Sequence, residues 1–202
     1  MNAMRVFFAI ELSPEIRASL GQLAEELAPR LDAARLVPPQ KIHLTLRFLG
    51  ETKEDRLTRL VTRLRPEVRL SPGFELRFGG VGLFPDARRP RVLWVAVVDP
   101  PQALFDLRSL IERFVGEAGF APEERNFAPH LTLARFRRVP RSLTPLLSDL
   151  SDRGVGHMRV AELTLFESRL SPRGASYRVI ERLPLGRPEA ARPGGTYPNM
   201  LL

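Results

Sequence analysis

"KIHLTLRFLG", at residues 41–50, shares the tetrapeptide HLTL with "FAPHLTLARF", at residues 127–136. The chain has three histidines, and two of them, His43 and His130, begin these tetrapeptides. Apolar and polar residues alternate in both stretches, which is typical of a β-strand with one buried face. Successive side chains of a strand point to opposite faces, so each histidine shares a face with the threonine two residues later. The repeat therefore predicts two strands that each present a histidine beside a threonine.

The predicted elements follow the same order around the two copies. Apolar patterning predicts strands at 5–12, 41–49, 74–83, 91–98, 129–136, 156–168 and 176–183. Helical spacing and proline positions predict helices from Pro14 to Pro29, from about 57 to Pro66, from Pro101 to about Gly119, and at 143–150. In each half a strand and a long helix precede the HLTL strand, and a shorter helix and a strand pair follow it. This order indicates a degenerate internal duplication.

The duplication predicts the fold class. We expect an α+β, bilobal protein with two antiparallel sheets, helices outside, and a pseudo-two-fold axis through a central cleft. Residues 1–183 are expected to form this single domain, with one HLTL motif in each lobe. Residues 184–202 are rich in proline and glycine, which predicts a tail without regular structure.

The charge favours an anionic partner. The chain of 202 residues has 31 basic and 23 acidic residues, and 29 of the basic residues are arginine. Arginine presents a planar fork of donors that suits phosphate, so a nucleic acid or a nucleotide is the first expectation. The alternative is a genome that encodes arginine in place of lysine throughout, and net charge does not separate the two.

Cysteine is absent, which excludes disulfides, thiol nucleophiles and thiolate metal sites. The apolar run at residues 6–10 near the N-terminus is too short for a signal sequence or a membrane span. We therefore expect a cytoplasmic protein that does not contact a membrane, and a monomer.

Two histidines and two threonines in one cleft would suit displacement at phosphorus with the attacking and leaving oxygens in line. His43 and His130 can act as base and acid, because a pKa of roughly 6.5 lets one ring be neutral and the other protonated near neutral pH at little cost. The hydroxyls of Thr45 and Thr132 can donate to phosphate oxygens or hold the attacking water. Such chemistry needs no metal or other cofactor, and the histidines lack a zinc-site spacing.

A single H-x-T on a strand would carry little weight, because a lone histidine is more often a surface or hydrogen-bonded core residue. The second copy, in a like setting, favours a joint catalytic site. His157, in "RGVGHMRV", lacks a matching threonine and is expected to be an ordinary loop or strand residue.

With these motifs the sequence resembles the 2H phosphoesterase superfamily, which is named for two H-x-[ST]-x motifs. More narrowly it resembles the bacterial and archaeal RNA 2′,3′-cyclic phosphodiesterases, also called 2′-5′ RNA ligases of the LigT type. The segments "MRVFFAIEL", "PPQKIHLTLRFLG", "RVLWVAV", "FAPHLTLARF" and "LFESRLSPRGASYRVI" carry the resemblance in the order of that family.

The resemblance implies a bilobal α+β fold with two sheets around a cleft. It also implies metal-independent hydrolysis of RNA 2′,3′-cyclic phosphate ends to 2′-phosphomonoesters, and reversible 2′-5′ joining of RNA ends such as tRNA halves. In family terms His43 would be the proton donor to the ribose 3′ oxygen, and His130 would be the proton acceptor that activates water. A near-symmetric site would let these two roles exchange with the orientation of the substrate.

Five residues after each histidine the two halves differ, with Phe48 in one and Arg135 in the other. The resemblance makes Arg135 a phosphate ligand and Phe48 an apolar surface for the nucleoside. Strict alternation would turn both away from the histidine face, so these roles require a bulge after the threonine; otherwise Phe48 lies in the core and Arg135 on the surface. Arg47 falls on the expected cleft face, where it could also be only solvated. Trp94 and Tyr177 are expected to pack the lobes rather than stack bases.

Three alternatives stay open on the sequence alone. The same site could act on a small cyclic nucleotide or on ADP-ribose cyclic phosphate. The protein could be a non-catalytic module that binds RNA ends or tRNA. Ligation, rather than hydrolysis, could be the physiological direction.

Overall fold

The computed structural model describes residues 3–31, 34–138, 144–172 and 174–186. Its strands are β1 (Ala3–Glu11), β2 (Ala34–Leu36), β3 (His43–Lys53), β4 (Phe74–Phe84), β5 (Val92–Val98), β6 (His130–Phe136), β7 (Gly154–Val160), β8 (Glu162–Ser171) and β9 (Gly174–Pro184). Its helices are α1 (Pro14–Leu27), α2 (Glu54–Leu70), α3 (Gln102–Glu117) and α4 (Thr144–Leu150).

The sheet consists of two antiparallel halves of four strands each. One half has the order β3-β1-β8-β9 and the other β6-β5-β4-β7, with β2 added beside β6. These orders correspond under the predicted two-fold duplication, which confirms the α+β fold. The two predicted sheets are joined, because β3 and β6 pair at one register position, Leu44 with Leu131. The HLTL strands are therefore neighbours at the centre of one curled sheet.

Some elements from one half of the sequence pack in the half-sheet that contains the HLTL strand of the other half. Strand β4 follows the first HLTL strand but belongs to the half-sheet that contains the second. Helix α1 follows β1 but packs against β7, whereas α2 and α3 contact each other and β3. The main core lies between the sheet and these helices, and buries side chains such as Phe8, Leu20 and Ile111.

Local signals explain most of the element boundaries. Ser13 caps α1, since the Ile16 amide donates to its hydroxyl at 3.4 Å and Pro14 fills the first helical position. The prediction that the second helix stops near Pro66 is wrong. Helix α2 continues to Leu70 around this proline, because Val68 extends the buried face that already contains Leu64.

The single strand predicted at 156–168 is two strands. The chain crosses from β7 in one half-sheet to β8 in the other, with Ala161 between them. No glycine or proline marks this crossing, so alternation alone could not reveal it. The three-residue strand β2 is also absent from the sequence prediction.

The end of the described chain is attached to the fold. Strand β9 includes Pro184, Leu185 is buried, and Gly186 exchanges backbone hydrogen bonds with Ser71 and Gly73. Residues 187–202 of the predicted tail lie outside the described residues. No helix in the described part of the chain has the length and apolar character needed to cross a bilayer.

Candidate active site

The two H-x-T motifs meet in one cavity. His43 and His130 are the first residues of the neighbouring strands β3 and β6. A cavity of about 340 Å³ opens beside both of them. All six residues predicted to form the site line this cavity: His43, Thr45, Phe48, His130, Thr132 and Arg135.

A bulge at the same place in both strands explains how Phe48 and Arg135 reach the cavity. On β3, Thr45 pairs with Ala9 and Arg47 with Phe8, so Leu46 has no partner of its own on β1. Two consecutive buried residues follow each threonine, and the alternation then resumes in the opposite phase. Phe48 therefore shares the cavity with the histidine five residues before it.

Strand β6 repeats this irregularity. Thr132 pairs with Trp94 and Ala134 with Leu93, which leaves Leu133 as the extra residue. Leu133 and Ala134 are both buried, and Arg135 is exposed on the cavity side. The bulge falls three residues after the histidine in each half, so it belongs to the duplicated backbone.

The backbone holds the two imidazoles in equivalent ways. His43 Nδ1 lies 3.0 Å from the carbonyl oxygen of Lys41, and His130 Nδ1 lies 2.7 Å from that of Ala128. Because a carbonyl only accepts, Nδ1 carries the proton and donates it in both rings. The Nε2 atom of each neutral ring is then the basic nitrogen that can react.

The surroundings of both histidines favour the neutral imidazole in the free protein. Burial lowers the pKa of His43 to about 4, opposed by its bond to the Lys41 carbonyl and assisted by the positive charge of Arg135. Burial also lowers the pKa of His130, with the Ala128 carbonyl opposing and Arg135 assisting. Protonating either ring near neutral pH in the absence of a substrate therefore costs more free energy than for an exposed histidine.

Aromatic rings surround the two histidines differently. Phe7 and Tyr177 lie 4.8 and 4.9 Å from the His43 ring, measured between ring centres, and Phe166 lies 5.9 Å away. This packing is the cause of the strong desolvation of His43. The nearest aromatic to His130 is Phe84, at 4.9 Å and edge-on, among the ring contacts of the described residues.

Tyr177 and Phe48 form an apolar edge of the cavity. Tyr177 is 37% exposed and lines the cavity, and its ring also packs against Phe7 and His43. Phe48 is 49% exposed, a large fraction for a phenylalanine beside a pocket. Its ring lies 5.2 Å from that of Phe7, so the exposed ring packs on a buried one. Trp94 lines a different, adjacent groove and not this cavity.

Several polar residues of the cavity escape sequence reasoning. Arg47, which the sequence allows to be merely solvated, is 7% exposed and ion-paired with Glu112 and Glu123. Lys41 donates to the Ala175 carbonyl at 2.7 Å and lines the cavity with Arg125. Arg47 lies on β3 itself, whereas Lys41 and Arg125 lie in the segments before β3 and β6, where no local pattern in the sequence marks them.

In the part of the chain that the structure describes, histidine and acidic residues do not gather in a way that suggests a metal. Among the described residues no three or more His, Cys, Asp or Glu side chains are close enough to hold an ion. His157 lies on β7 and lines the adjacent groove, away from the site that contains the other two histidines.

Comparisons with known proteins agree with this geometry. The sequence model of the LigT like Phosphoesterase family matches twice, at residues 10–94 and 95–177, so each match contains one HLTL motif. An RNA 2′,3′-cyclic phosphodiesterase of Methanothermobacter thermautotrophicus is 36% identical over 181 residues, which cover 88% of this chain and 97% of that protein. One of Aquifex aeolicus is 31% identical over 191 residues, which cover 92% and 100%.

Solved structures extend the likeness to three dimensions. The crystal structure of Escherichia coli LigT complexed with 3′-AMP superposes with a TM-score of 0.77 at 29% identity, and covers 91% of this chain and 99% of that chain. Two matches of the family model, one per HLTL motif, together span most of the sequence. The chain belongs to the LigT like Phosphoesterase family, within the 2H phosphoesterases.

Proposed function

We propose that the protein hydrolyses RNA 2′,3′-cyclic phosphate ends to 2′-phosphomonoesters by acid-base catalysis with His43 and His130 and without a metal. The observation that carries this proposal is the meeting of both H-x-T pairs in one cavity with Arg135. The activity named for the relatives and the nucleotide named for the LigT complex support the same substrate class.

Each of the two Nε2 atoms carries out one of the two proton transfers. Water attacks the phosphorus while His130 Nε2 takes its proton, and the bond from phosphorus to the ribose 3′ oxygen breaks. His43 Nε2 gives a proton to that 3′ oxygen, so a 2′-phosphate and a free 3′-hydroxyl are formed. The carbonyls of Lys41 and Ala128 hold both rings in the tautomer that this exchange requires.

The substrate supplies the charge that the free site lacks. A cyclic phosphodiester carries one negative charge, which favours a protonated imidazole and opposes the effect of Arg135. We therefore expect the pKa of His43 to rise when the substrate binds, so that it can act as the acid. Since a general acid must stay protonated, the alkaline limb of kcat should lie at higher pH than the alkaline limb of kcat/KM.

The other four residues bind the substrate. Arg135 can donate two parallel hydrogen bonds to phosphate oxygens, and the hydroxyls of Thr45 and Thr132 can donate to the oxygens that gain charge in the transition state. Phe48 offers an exposed ring on which the terminal base can stack. Tyr177 lies across the cavity edge on the His43 side and can enclose the ribose.

The test is turnover of an oligoribonucleotide that ends in a 2′,3′-cyclic phosphate. We expect a 2′-phosphate product, and undiminished turnover in the presence of a chelator. A wild-type protein that binds the RNA in a salt-sensitive way but does not convert any cyclic phosphate would instead favour the non-catalytic RNA-binding module.

The size of the cavity raises the question of substrate length. A volume of about 340 Å³ suits a single nucleotide, which favours a small cyclic nucleotide as the second candidate substrate. Comparing kcat/KM of the oligonucleotide with that of the matching mononucleotide decides between them. Adding an RNA with a 5′-hydroxyl to the same assay tests 2′-5′ ligation, in which that hydroxyl replaces water and the same two histidines serve.

A further inference from the structure

Two strands from different half-sheets carry the proposed acid and base, yet little sheet pairing joins them. Strands β3 and β6 pair at one register position, Leu44 with Leu131. A single pair of this kind fixes little of the spacing between the two strands by itself. Contacts outside the pairing of β3 with β6 therefore also set the spacing of His43 and His130.

We propose that Arg47 is a positioning residue that ties the loop leading into His130 to the strand that carries His43. This loop, the α3–β6 loop, comprises residues 118–129 and connects α3 to β6. The proposal rests on the proposed function for its kinetic consequences, but the tie itself is a property of the free protein.

The bulge in β3 places Arg47 where it can reach the loop. Its side chain is 7% exposed, and the equivalent position after the bulge in β6 is Ala134, which has no polar group. One terminal nitrogen of Arg47 donates to the Ala121 carbonyl, and the other donates to the Phe48 carbonyl at 3.1 Å and to Glu123 Oε2 at 3.4 Å. The guanidinium thus joins β3 to two residues of the α3–β6 loop.

A second arginine completes the network from helix α3. Arg47 Nε lies 3.1 Å from Glu112 Oε2, and Arg108 donates to the other oxygen of Glu112 at 2.7 Å. Arg108 also donates to the Leu46 carbonyl at 2.8 Å and lies over the ring of Phe127 at 4.7 Å. Two arginines and two glutamates therefore hold the bulge of β3, helix α3 and the α3–β6 loop together.

The loop in turn holds the proposed base. His130 Nδ1 donates to the carbonyl of Ala128, which is a loop residue, at 2.7 Å. Glu123, Asn126 and Phe127 of the same loop line the cavity. If the loop moves, the carbonyl that orients the His130 ring moves with it. Displacement of a catalytic group by about 1 Å can lower a rate by about 100-fold.

The positive charge of Arg47 also affects the binding of an anionic substrate. Glu123 lines the cavity that we propose binds a phosphate, and both Glu123 and Glu112 are paired with Arg47. Removal of the arginine would leave Glu123 to repel the substrate, whereas Glu112 would stay paired with Arg108. A lysine keeps the positive charge but offers one ammonium in place of the fork, so it cannot bond the Ala121 carbonyl and both glutamates together. Arg47→Lys therefore removes hydrogen bonds that hold the loop but keeps the positive charge.

The experiment compares Arg47→Lys and Arg47→Met with Arg63→Lys. Arg63, on α2, is the control. It pairs at 2.6 Å with Glu117 of α3, the helix that also carries Glu112, but it lies outside the cavity. We expect Arg47→Lys to lower kcat by about 10- to 100-fold with KM changed less than about threefold. Arg47→Met should lower kcat similarly and also raise KM, because Glu123 then lacks its cationic partner beside the substrate. Arg63→Lys should match the wild type.

Hydrogen exchange of the substrate-free proteins gives a readout that does not depend on catalysis. We expect faster exchange of the amides at 121–128 in Arg47→Lys than in Arg63→Lys, with exchange in the core strands unchanged. Wild-type kcat and wild-type loop exchange in a folded Arg47→Lys would overturn the proposal. If the wild type has no turnover, the proposed function fails, and the exchange data alone decide whether Arg47 ties the loop.

Discussion

Strands β3 and β6 have the same tetrapeptide, the same bulge and the same bond from Nδ1 to a carbonyl two residues earlier. They differ in the two residues after the bulge, which are Arg47-Phe48 in β3 and Ala134-Arg135 in β6. The duplicated backbone thus provides two equivalent imidazoles, and the residues after the bulge provide different surfaces. In the proposed function, a nearly symmetric frame binds an asymmetric nucleotide because these flanking side chains differ.

The surroundings of the two strands have diverged in the same way. Ala9 faces Thr45 across the sheet, whereas Trp94 faces Thr132. Next to these, Thr164 pairs with Ala9 and Gly82 with Trp94. The His43 side is filled by rings from β1, β8 and β9, and the His130 side holds the Phe84 ring and the Trp94 indole. His43 is consequently the more enclosed of the two rings.

The largest expected effect tests whether the two strands act as one unit. We expect His43→Ala and His130→Ala each to lower kcat by about 1,000-fold, within the range found for general acids and bases. The double variant should lose little more than either single variant, because each histidine is useful only while the other performs its transfer. Single-turnover rates of the four proteins measure this. Losses that multiply in the double variant would mean that the two histidines act independently.

The next effect tests the divergence after the bulge. Arg135→Ala should lower kcat/KM by about 100-fold, since a hydrogen bond to a charged group contributes about 1.5–3 kcal/mol. Phe48→Ala should lower it by about 10-fold through lost stacking. Because the positive charge of Arg135 lowers the pKa of both histidines, Arg135→Ala should also move the acid limb of the kcat/KM profile to higher pH.

Inorganic phosphate provides the control for these two variants. It has no base to stack, so competitive inhibition by phosphate should weaken in Arg135→Ala and stay unchanged in Phe48→Ala. Equal weakening in both would contradict a separate phosphate side and nucleoside side.

A smaller effect concerns the groove beside His130. A Cβ atom at Gly82 would lie 2.2 Å from the Trp94 ring, so Gly82→Ala must displace the indole. We expect a loss of about 2 kcal/mol in the free energy of unfolding, as for other overpacked sites. Trp94 is the only tryptophan, so its fluorescence reports both the displacement and the unfolding. Gly154→Ala is the matched control, since nothing lies within 4 Å of its Cβ, and an unfolding loss as large there would show that overpacking is not the cause.

The sequence predicts most of the strands, the face shared by histidine and threonine, and the correspondence of the two halves, because these follow from alternation and from a visible repeat. It leaves open whether the strands bulge at Leu46 and Leu133, since "HLTLRF" alternates throughout and only Leu133-Ala134 in the second copy breaks the alternation. A bulge arises from pairing with a distant strand. Burial of Arg47 likewise depends on the Ala121 carbonyl and on Glu123, which lie 74 and 76 residues away along the chain.

The smallest expected effect is the dependence of stability on the enclosure of His43. Its pKa in the folded protein, about 4, lies below the unfolded value of about 6.5. Between these values the unfolded chain binds a proton that the folded protein does not, so stability falls as pH falls. Denaturant unfolding at pH 7 and pH 5 should show this loss, and His43→Gln should reduce it by about 1–2 kcal/mol. His130→Gln should reduce it in the same direction. Parallel losses in His43→Gln and the wild type would mean that the packing of Phe7, Phe166 and Tyr177 does not keep this imidazole neutral.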